Sequence, residues 1–405
     1  MKVMRILALL LLLIAGVVAY SCATIVGTSE LDPDAFTTSA SPQARALVER
    51  ALDGLEVSGG LEIVDMHAHV AGTAEDGSGC EISADMHSWL HPWRMIQYQV
   101  YLRASGVDAL ERGAQQMAAR LSAVSRGKTC VLALDHGYDT SGAVDREHTA
   151  LYVPNDYVLR LADEHPDEFV AGVSIHPHRK DALAELDRCA ARGARIVKWL
   201  PNSMGIDPAS PACDAFYDRM RERGMTLLSH GGEERALAQG ALELGNPLRL
   251  RRALDRGVRV IVAHCASMGT ATDLDDPARG EVEAFELFLR MMGEDHGRGR
   301  LYGDISAVAF RNRDPRVLRT LLERTDLHER LIDGTDWPLP AVRVLTSTRR
   351  LEKARLLTAE EREALDEVFR YDPRLFDLAL KRTVKGPKGE RFPASVFLRK
   401  REILP

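Results

Sequence analysis

Eight short runs of apolar and β-branched residues recur along this chain, separated by segments with helical periodicity, and no other feature limits the fold as much. The runs are Leu61 to Val70, Thr129 to Leu134, Phe169 to Ile175, Ala194 to Leu200, Met225 to Ser229, Val258 to Ala263, Leu301 to Ile305 and Arg330 to Ile332. Between them lie segments such as Asp181 to Arg192, where Leu183 and Leu186 form one apolar stripe on a charged surface, as a helix with a single buried face requires. Strand then helix, repeated eight times, predicts an α/β fold of the (β/α)8 TIM-barrel kind, with a long insertion after strand 1. An open doubly wound sheet alternates in the same way, but its dinucleotide-binding form carries GxGxxG after the first strand, and none follows here. With 405 residues, 45% of them hydrophobic and 28% charged, the chain can bury one core of that size.

The chain divides into four parts. In residues 1–22, Lys2 and Arg5 precede an apolar run from Ile6 to Tyr20, and the small residues Ala19 and Ser21 stand before Cys22. That order predicts export, to the periplasm or to a membrane-anchored position. A cleaved signal peptide, a lipoprotein signal with Cys22 lipidated, and an uncleaved anchor all remain open. Residues 23–58 read as a linker, rich in Ser, Thr, Asp and Pro from Ser29 to Pro42, followed by an amphipathic helix from Pro42 to Leu55. Residues 59–385 form the barrel and 386–405 a C-terminal tail. The insertion between the first two strands carries Trp89, His91, Trp93, Tyr98 and Tyr101, which suits a lid or a pocket wall as well as a packed subdomain or an oligomer contact.

A net charge of −6 without a long basic block argues against nucleic acid as a partner and leaves a small molecule as the expected one. Self-association is open. The six cysteines, at 22, 80, 130, 189, 213 and 265, show no CxxC spacing, so they are not expected to bind metal. Cys265 lies in an apolar stretch and reads as a small buried hydrophobe.

The strand ends carry the chemistry. The first strand ends Asp65-Met66-His67-Ala68-His69, and alternation along a strand would put Asp65, His67 and His69 on one face. The fifth ends in His230, the sixth in His264, and the eighth leads through Gly334-Thr335 to Asp336-Trp337-Pro338. Lys198 interrupts the apolar run Ile196-Val197-Lys198-Trp199 on the fourth. Active sites of this fold sit at the carboxyl ends of the strands, where each of these side chains falls. One such histidine would be read as a core residue; four with an aspartate in this order would not.

These motifs resemble the amidohydrolase superfamily, and most closely its amidohydrolase-related TIM-barrel branch, over about residues 60 to 382; Tyr371-Asp372-Pro373-Arg374-Leu375-Phe376 is similar to the start of that family's C-terminal helix. The resemblance implies that His67, His69 and Asp336 bind one divalent metal, that His230 and His264 bind a second, and that a carbamylated Lys198 bridges them; single-metal members lack the bridge. A lysine here also occurs without binding metal, as an ammonium beside Asp336 or a substrate carboxylate. Imidazoles and a carboxylate suit zinc first, with manganese, iron or cobalt as alternatives. The implied activity is metal-dependent hydrolysis of an amide, ester, lactone or phosphoester, with Asp336, His264 and Lys198 as catalytic residues. The rivals are a metal-dependent decarboxylase of the same branch and an inactive secreted binding protein. His176, Asn202 and Glu233, with His178 and Glu234 beside them, are expected near substrate, and Asp304 behind a ligand histidine. Histidines 87, 91, 136, 148, 165, 296 and 328 read as surface or structural.

Overall fold

The computed structural model describes residues 33–405 apart from 58, 59, 62, 125, 148, 236, 238, 239 and 295–298. The segment expected to direct export, with Cys22, lies outside the described residues, as do His148 and His296. All eight expected strands are present and parallel: β1 Val64–His69, β2 Lys128–Leu132, β3 Phe169–Val173, β4 Ile196–Trp199, β5 Thr226–Ser229, β6 Arg259–Val262, β7 Leu301–Asp304 and β8 Leu331–Ile332. They pair in chain order, and the ends of the sheet meet. Met66 N–H donates to Asp333 O at 3.0 Å, Asp336 N–H to His67 O at 2.6 Å and His69 N–H to Trp337 O at 2.9 Å, closing the barrel.

The helices include α1 Pro33–Ser39, α2 Pro42–Leu52, α3 Pro92–Ala104, α4 Gly113–Ala123, α5 Asn155–Glu164, α6 Ala182–Ala191, α7 Asp214–Glu222, α8 Arg251–Asp255, α9 Ala284–Gly293, α10 Pro315–Glu323, α11 Ala359–Tyr371 and α12 Pro373–Thr383. α10 shows why such segments fold and where they stop. Asp314 caps it by accepting from Arg316 N–H, Pro315 takes the first position, and Val317, Leu318, Leu321 and Leu322 bury one face, each contributing roughly 1.5–3 kcal/mol. α1 falls within the stretch expected to be plain linker. Phe36 explains it, stacking its ring edge on Tyr371 of α11. Among the described residues no helix is long and apolar enough to cross a membrane. The five described cysteines are all buried and free.

Inside the barrel, Val64, Met66, Cys130, Leu132, Ile196, Leu228, Ile261, Ala263, Tyr302 and Ile332 form one apolar plug, completed by Ile403 and Leu404 of the tail. On β1 the inward residues are first Val64 and Met66, yet the next to reach the site are His67 and His69. A bulge accounts for the change of phase, since the β1–β2 register shifts between Asp65 and Ala68. Asp65 therefore parts from the two histidines, contrary to simple alternation, and turns toward the helix layer, where its Oδ2 accepts from Arg374 Nη2 of α12 at 2.8 Å.

Candidate metal centre

The side chains of His67, His69, Lys198, His230, His264 and Asp336 converge at the carboxyl ends of the strands, on the floor of one pocket. β1 delivers His67 and His69 through its bulge, β4 delivers Lys198, and the residues just after β5, β6 and β8 deliver the other three. His264 leaves β6 in the left-handed region, at φ 46°, followed by Cys265 and Ala266 at 53° and 50°. Such backbone costs about 1–2 kcal/mol per residue and persists only when its surroundings hold it. Asp304 of β7 does so, its Oδ1 accepting from His264 N–H at 2.8 Å. Gly334 is required by close approach: a Cβ there would stand 2.7 Å from the Cβ of His67.

His67 Nδ1 lies 2.9 Å from Asp304 Oδ2. A carboxylate only accepts, so Nδ1 carries the hydrogen and Nε2 keeps a lone pair. Burial alone would raise the Asp304 carboxyl, but His67, His264 and Ser306 hold it far below the usual range, so it stays an anion behind the ring. His69 Nε2 stands 3.2 Å from His67 Nε2, and Asp336 Oδ1 lies 3.5 and 3.4 Å from these two nitrogens. Asp336 Oδ2 faces His264 Nε2 at 3.8 Å. Lys198 Nζ is 3.0 Å from His67 Nε2, and burial lowers its pKa. Burial likewise lowers His230 and holds His264 well below the ordinary histidine value, favouring neutral rings.

This donor set fits a metal ion. The ligand atoms of His67, His69 and Asp336 all lie within 4.8 Å of one another. With Nδ1 of His67 committed to Asp304, the lone pair of its Nε2 turns to the place where His69 Nε2, Asp336 Oδ1 and Lys198 Nζ meet, and one cation there could take His67, His69 and Asp336 together. His230 adds a second sign: its Nδ1 lies 3.4 Å from Glu234 Oε2, and its Nε2 is buried with no hydrogen-bond partner among the described residues.

Three residues expected at substrate lie elsewhere. His176 is fully buried, its Nε2 donating to Met204 O at 3.0 Å and its Nδ1 accepting from His178 N–H at 3.1 Å. Asn202 turns its amide to the carbonyls of Gly232 and Leu242. Glu233 pairs with Arg235, while its neighbour Glu234 reaches the pocket. All three stand at strand ends, but backbone partners or an ion pair claim them first. The insertion does supply a wall, through Tyr98 and Tyr101, whereas Trp89 and Trp93 are exposed. Ile82, Met86, Leu102 and Met117 complete that wall, and nothing in the sequence separates them from any helix's apolar stripe. Among the remaining histidines, His136 stacks on Tyr152 and His328 donates to Leu321 O.

A closed eight-stranded parallel barrel with polar side chains gathered at its carboxyl strand ends has the layout of a TIM-barrel enzyme. The family model described as Amidohydrolase matches residues 64–367, and the chain belongs to that family. Its solved relatives include both hydrolases and decarboxylases by name. A protein assigned as a 2-pyrone-4,6-dicarboxylic acid hydrolase from Pseudomonas putida is 18% identical, with 78% of this chain and 98% of that one covered and a TM-score of 0.43. The 5-carboxyvanillate decarboxylase of Sphingomonas paucimobilis is 12% identical, with coverage of 84% and 97% and a TM-score of 0.46. The 5-carboxyvanillate decarboxylase of Novosphingobium aromaticivorans, complexed with manganese and 4-hydroxy-3-methoxy-5-nitrobenzoic acid, is 12% identical, with coverage of 78% and 92% and a TM-score of 0.42. No curated protein matches the sequence.

Proposed function

We propose that this chain is a metal-dependent hydrolase acting on an ester, lactone or amide bond of a small molecule, exported by way of residues 1–22. The observation that carries the reading is the convergence of the ligand atoms of His67, His69 and Asp336 on the floor of a pocket whose walls are apolar. His67, His69 and Asp336 would hold the ion, with the unpartnered Nε2 of His230 turned to the same task; zinc suits the set best. A bound divalent ion supplies a Lewis acid and brings the pKa of its water toward about 7. Asp336, held ionised against the effect of burial by His67, His69 and His264, takes the proton of the attacking water and passes it to the leaving group. His264, fixed by Asp304, is placed to donate to the oxygen that gains charge. Lys198 Nζ, 3.0 Å from His67 Nε2, stands beside the ion's place and would turn from that nitrogen once it holds metal.

Lys198 favours a second reading. As the cation of the floor it could pair with the carboxylate of an aromatic acid, and decarboxylation would follow. Metal-loaded protein tested against esters, lactones, amides and aromatic carboxylates separates the two. Hydrolysis that is lost on chelation and restored by metal is expected; carbon dioxide release without hydrolysis would establish the lyase instead. Metal content of Lys198→Ala completes the test. Loss of an equivalent makes Lys198 a ligand, and unchanged content with weaker substrate affinity makes it a cation.

A further inference from the structure

The insertion after β1 is apolar on two sides. Its inner side, through Ile82, Met86, Leu102 and Met117, lines the pocket above the metal floor. Its outer tip, between Met86 and Tyr98, reads Ser88-Trp89-Leu90-His91-Pro92-Trp93. There Trp89 and Trp93 are each 80% exposed and Leu90 is 66% exposed, more than any other large apolar side chain among the described residues. The two sides belong to one packed unit. His87, beside the tip, sets its ring edge-on to that of Tyr98 with 4.6 Å between centres, and Tyr98 joins Met86, Leu102 and Met117 in a small apolar core. α3 rises about 1.5 Å per residue, so Trp93 stands roughly 7–8 Å along that helix from Tyr98, which lines the pocket.

Single exposed apolar side chains are ordinary, but three within five residues are not. Tryptophan side chains bring roughly 150–250 Å² each, which puts the tip in the range of the apolar patches, about 300–600 Å², that often mark a contact site. The charges beneath the tip cancel instead of reaching outward. Histidines aside, Asp85 and Arg94 are the only charged residues from Ser83 to Leu102. Asp85 Oδ2 accepts from Arg94 Nη1 at 2.8 Å, and its Oδ1 lies 3.3 Å from His91 Nε2. A partner recognised through charge would find nothing unpaired here, whereas a neutral apolar layer would. Tryptophan suits the boundary of such a layer, with its ring in the apolar side and its N–H toward water. The export expected of residues 1–22 leads to a membrane as well.

We propose that Trp89, Leu90 and Trp93 seat the insertion on the surface of an uncharged or zwitterionic lipid layer. A substrate drawn from that layer would meet the apolar inner wall before it met the floor. The docking does not depend on which reaction the floor performs.

The tryptophans themselves report on it. The chain has four, and the other two, Trp199 and Trp337, are 0% and 1% exposed, too deep to touch lipid. The full chain is mixed with phosphatidylcholine vesicles whose acyl chains carry bromine, which quenches indole fluorescence on contact. Wild type is expected to sediment with the vesicles and to lose about half of its emission, the share of Trp89 and Trp93. The double variant Trp89→Ser, Trp93→Ser changes only exposed positions outside the metal floor and should show no quenching. Protein that sediments with the vesicles but keeps its full emission is held by another segment, and that result overturns the proposal, as does protein that stays in solution. Unquenched emission together with a dimer that the double variant dissociates would assign the tip to a second copy instead. Turnover gives an independent reading: on a long-chain ester, wild type should speed up at least about tenfold once the ester aggregates, and the double variant should not, while both act equally on a short soluble ester. Quenching without hydrolysis of any ester, lactone or amide would remove the hydrolase reading alone. Hydrolysis of soluble esters without quenching would remove this proposal alone.

Discussion

β1 and β8 feed two buried polar clusters a few residues apart, and the two are built on opposite terms. In the first, Asp65 Oδ1 accepts from His67 N–H and Thr335 N–H, and its Oδ2 from Thr335 Oγ1 and Arg374 Nη2. Beside it Lys381 Nζ donates to Asp333 Oδ1 at 2.9 Å, Gly334 O at 2.7 Å and Asp377 Oδ2 at 2.5 Å. Every acceptor meets a donor. In the second cluster the ligand atoms of His67, His69 and Asp336 gather within 4.8 Å of one another beside Lys198 Nζ, and His230 Nε2 meets no hydrogen-bond partner among the described residues. Buried polar groups that are fully paired specify a structure, whereas ligand-type atoms crowded together with few donors are costly until a cation arrives. The first cluster thus reads as the frame of the second. Gly334 joins them, with its carbonyl on Lys381 and its Cα against His67.

Removing one group from each cluster should break them differently. His67→Ala takes away a ligand and should release the metal, lowering kcat/KM about a thousandfold, since an ion of this kind contributes several kcal/mol to the reaction. Metal analysis beside kinetics checks this, and full metal content in the variant would show that the gathered ligand atoms are not the ion's site. Lys381→Met removes the cation from two buried carboxylates and should cost about 3–5 kcal/mol of unfolding free energy. Denaturant titration measures it, and the folded fraction should still bind metal. A loss confined to metal binding, with stability intact, would abolish the distinction between frame and site.

How far the sequence reveals these clusters follows from the same contrast. Strand count, order and the inward histidines are legible, because apolar runs ending in His or Asp depend on local pattern alone. The fate of Asp65 is not, because a one-residue bulge reverses the face and leaves no mark on the apolar alternation. Nor are the partners of Asp65 and Asp333, since Arg374 and Lys381 arrive from α12 at the far end of the chain. His176, Asn202 and Glu233 carry the same outward signal as His230. What separates them is a partner: a carbonyl such as Met204 O claims the side chain, and that depends on how loops pack.

His176 belongs with the framed groups, and pH should reveal it. Burial, with the neighbouring His178 adding to it, lowers its pKa to about 3. A histidine depressed below its unfolded value contributes stability that is present above pH of about 6.5 and lost as pH falls toward about 3. The expected slope is about 1 kcal/mol per pH unit on that limb. Urea unfolding of wild type and His176→Gln between those values tests it, and parallel curves would mean that the ring is free to charge.

The finest test of the frame is Asp377, because Lys381 is one cation shared by two carboxylates. Burial pushes the Asp377 carboxyl up to about 7, and the Asp333 carboxylate adds repulsion that Lys381 only partly offsets. A carboxyl raised above its unfolded value binds protons in the folded state that the unfolded chain has already lost, so its effect on stability runs opposite to that of His176. Stability should fall as pH rises from about 4 to about 7 and level off above that. Asp377→Asn keeps an oxygen for Lys381 Nζ and removes the second charge, so Asp333 alone balances the lysine. The variant should match wild type near pH 5 and exceed it by about 2 kcal/mol near pH 8, read as the difference between paired urea curves so that every other titrating group cancels. If the variant is instead less stable at both pH values, both carboxylates are needed as anions and the frame is a three-charge network rather than a single ion pair with a protonated neighbour.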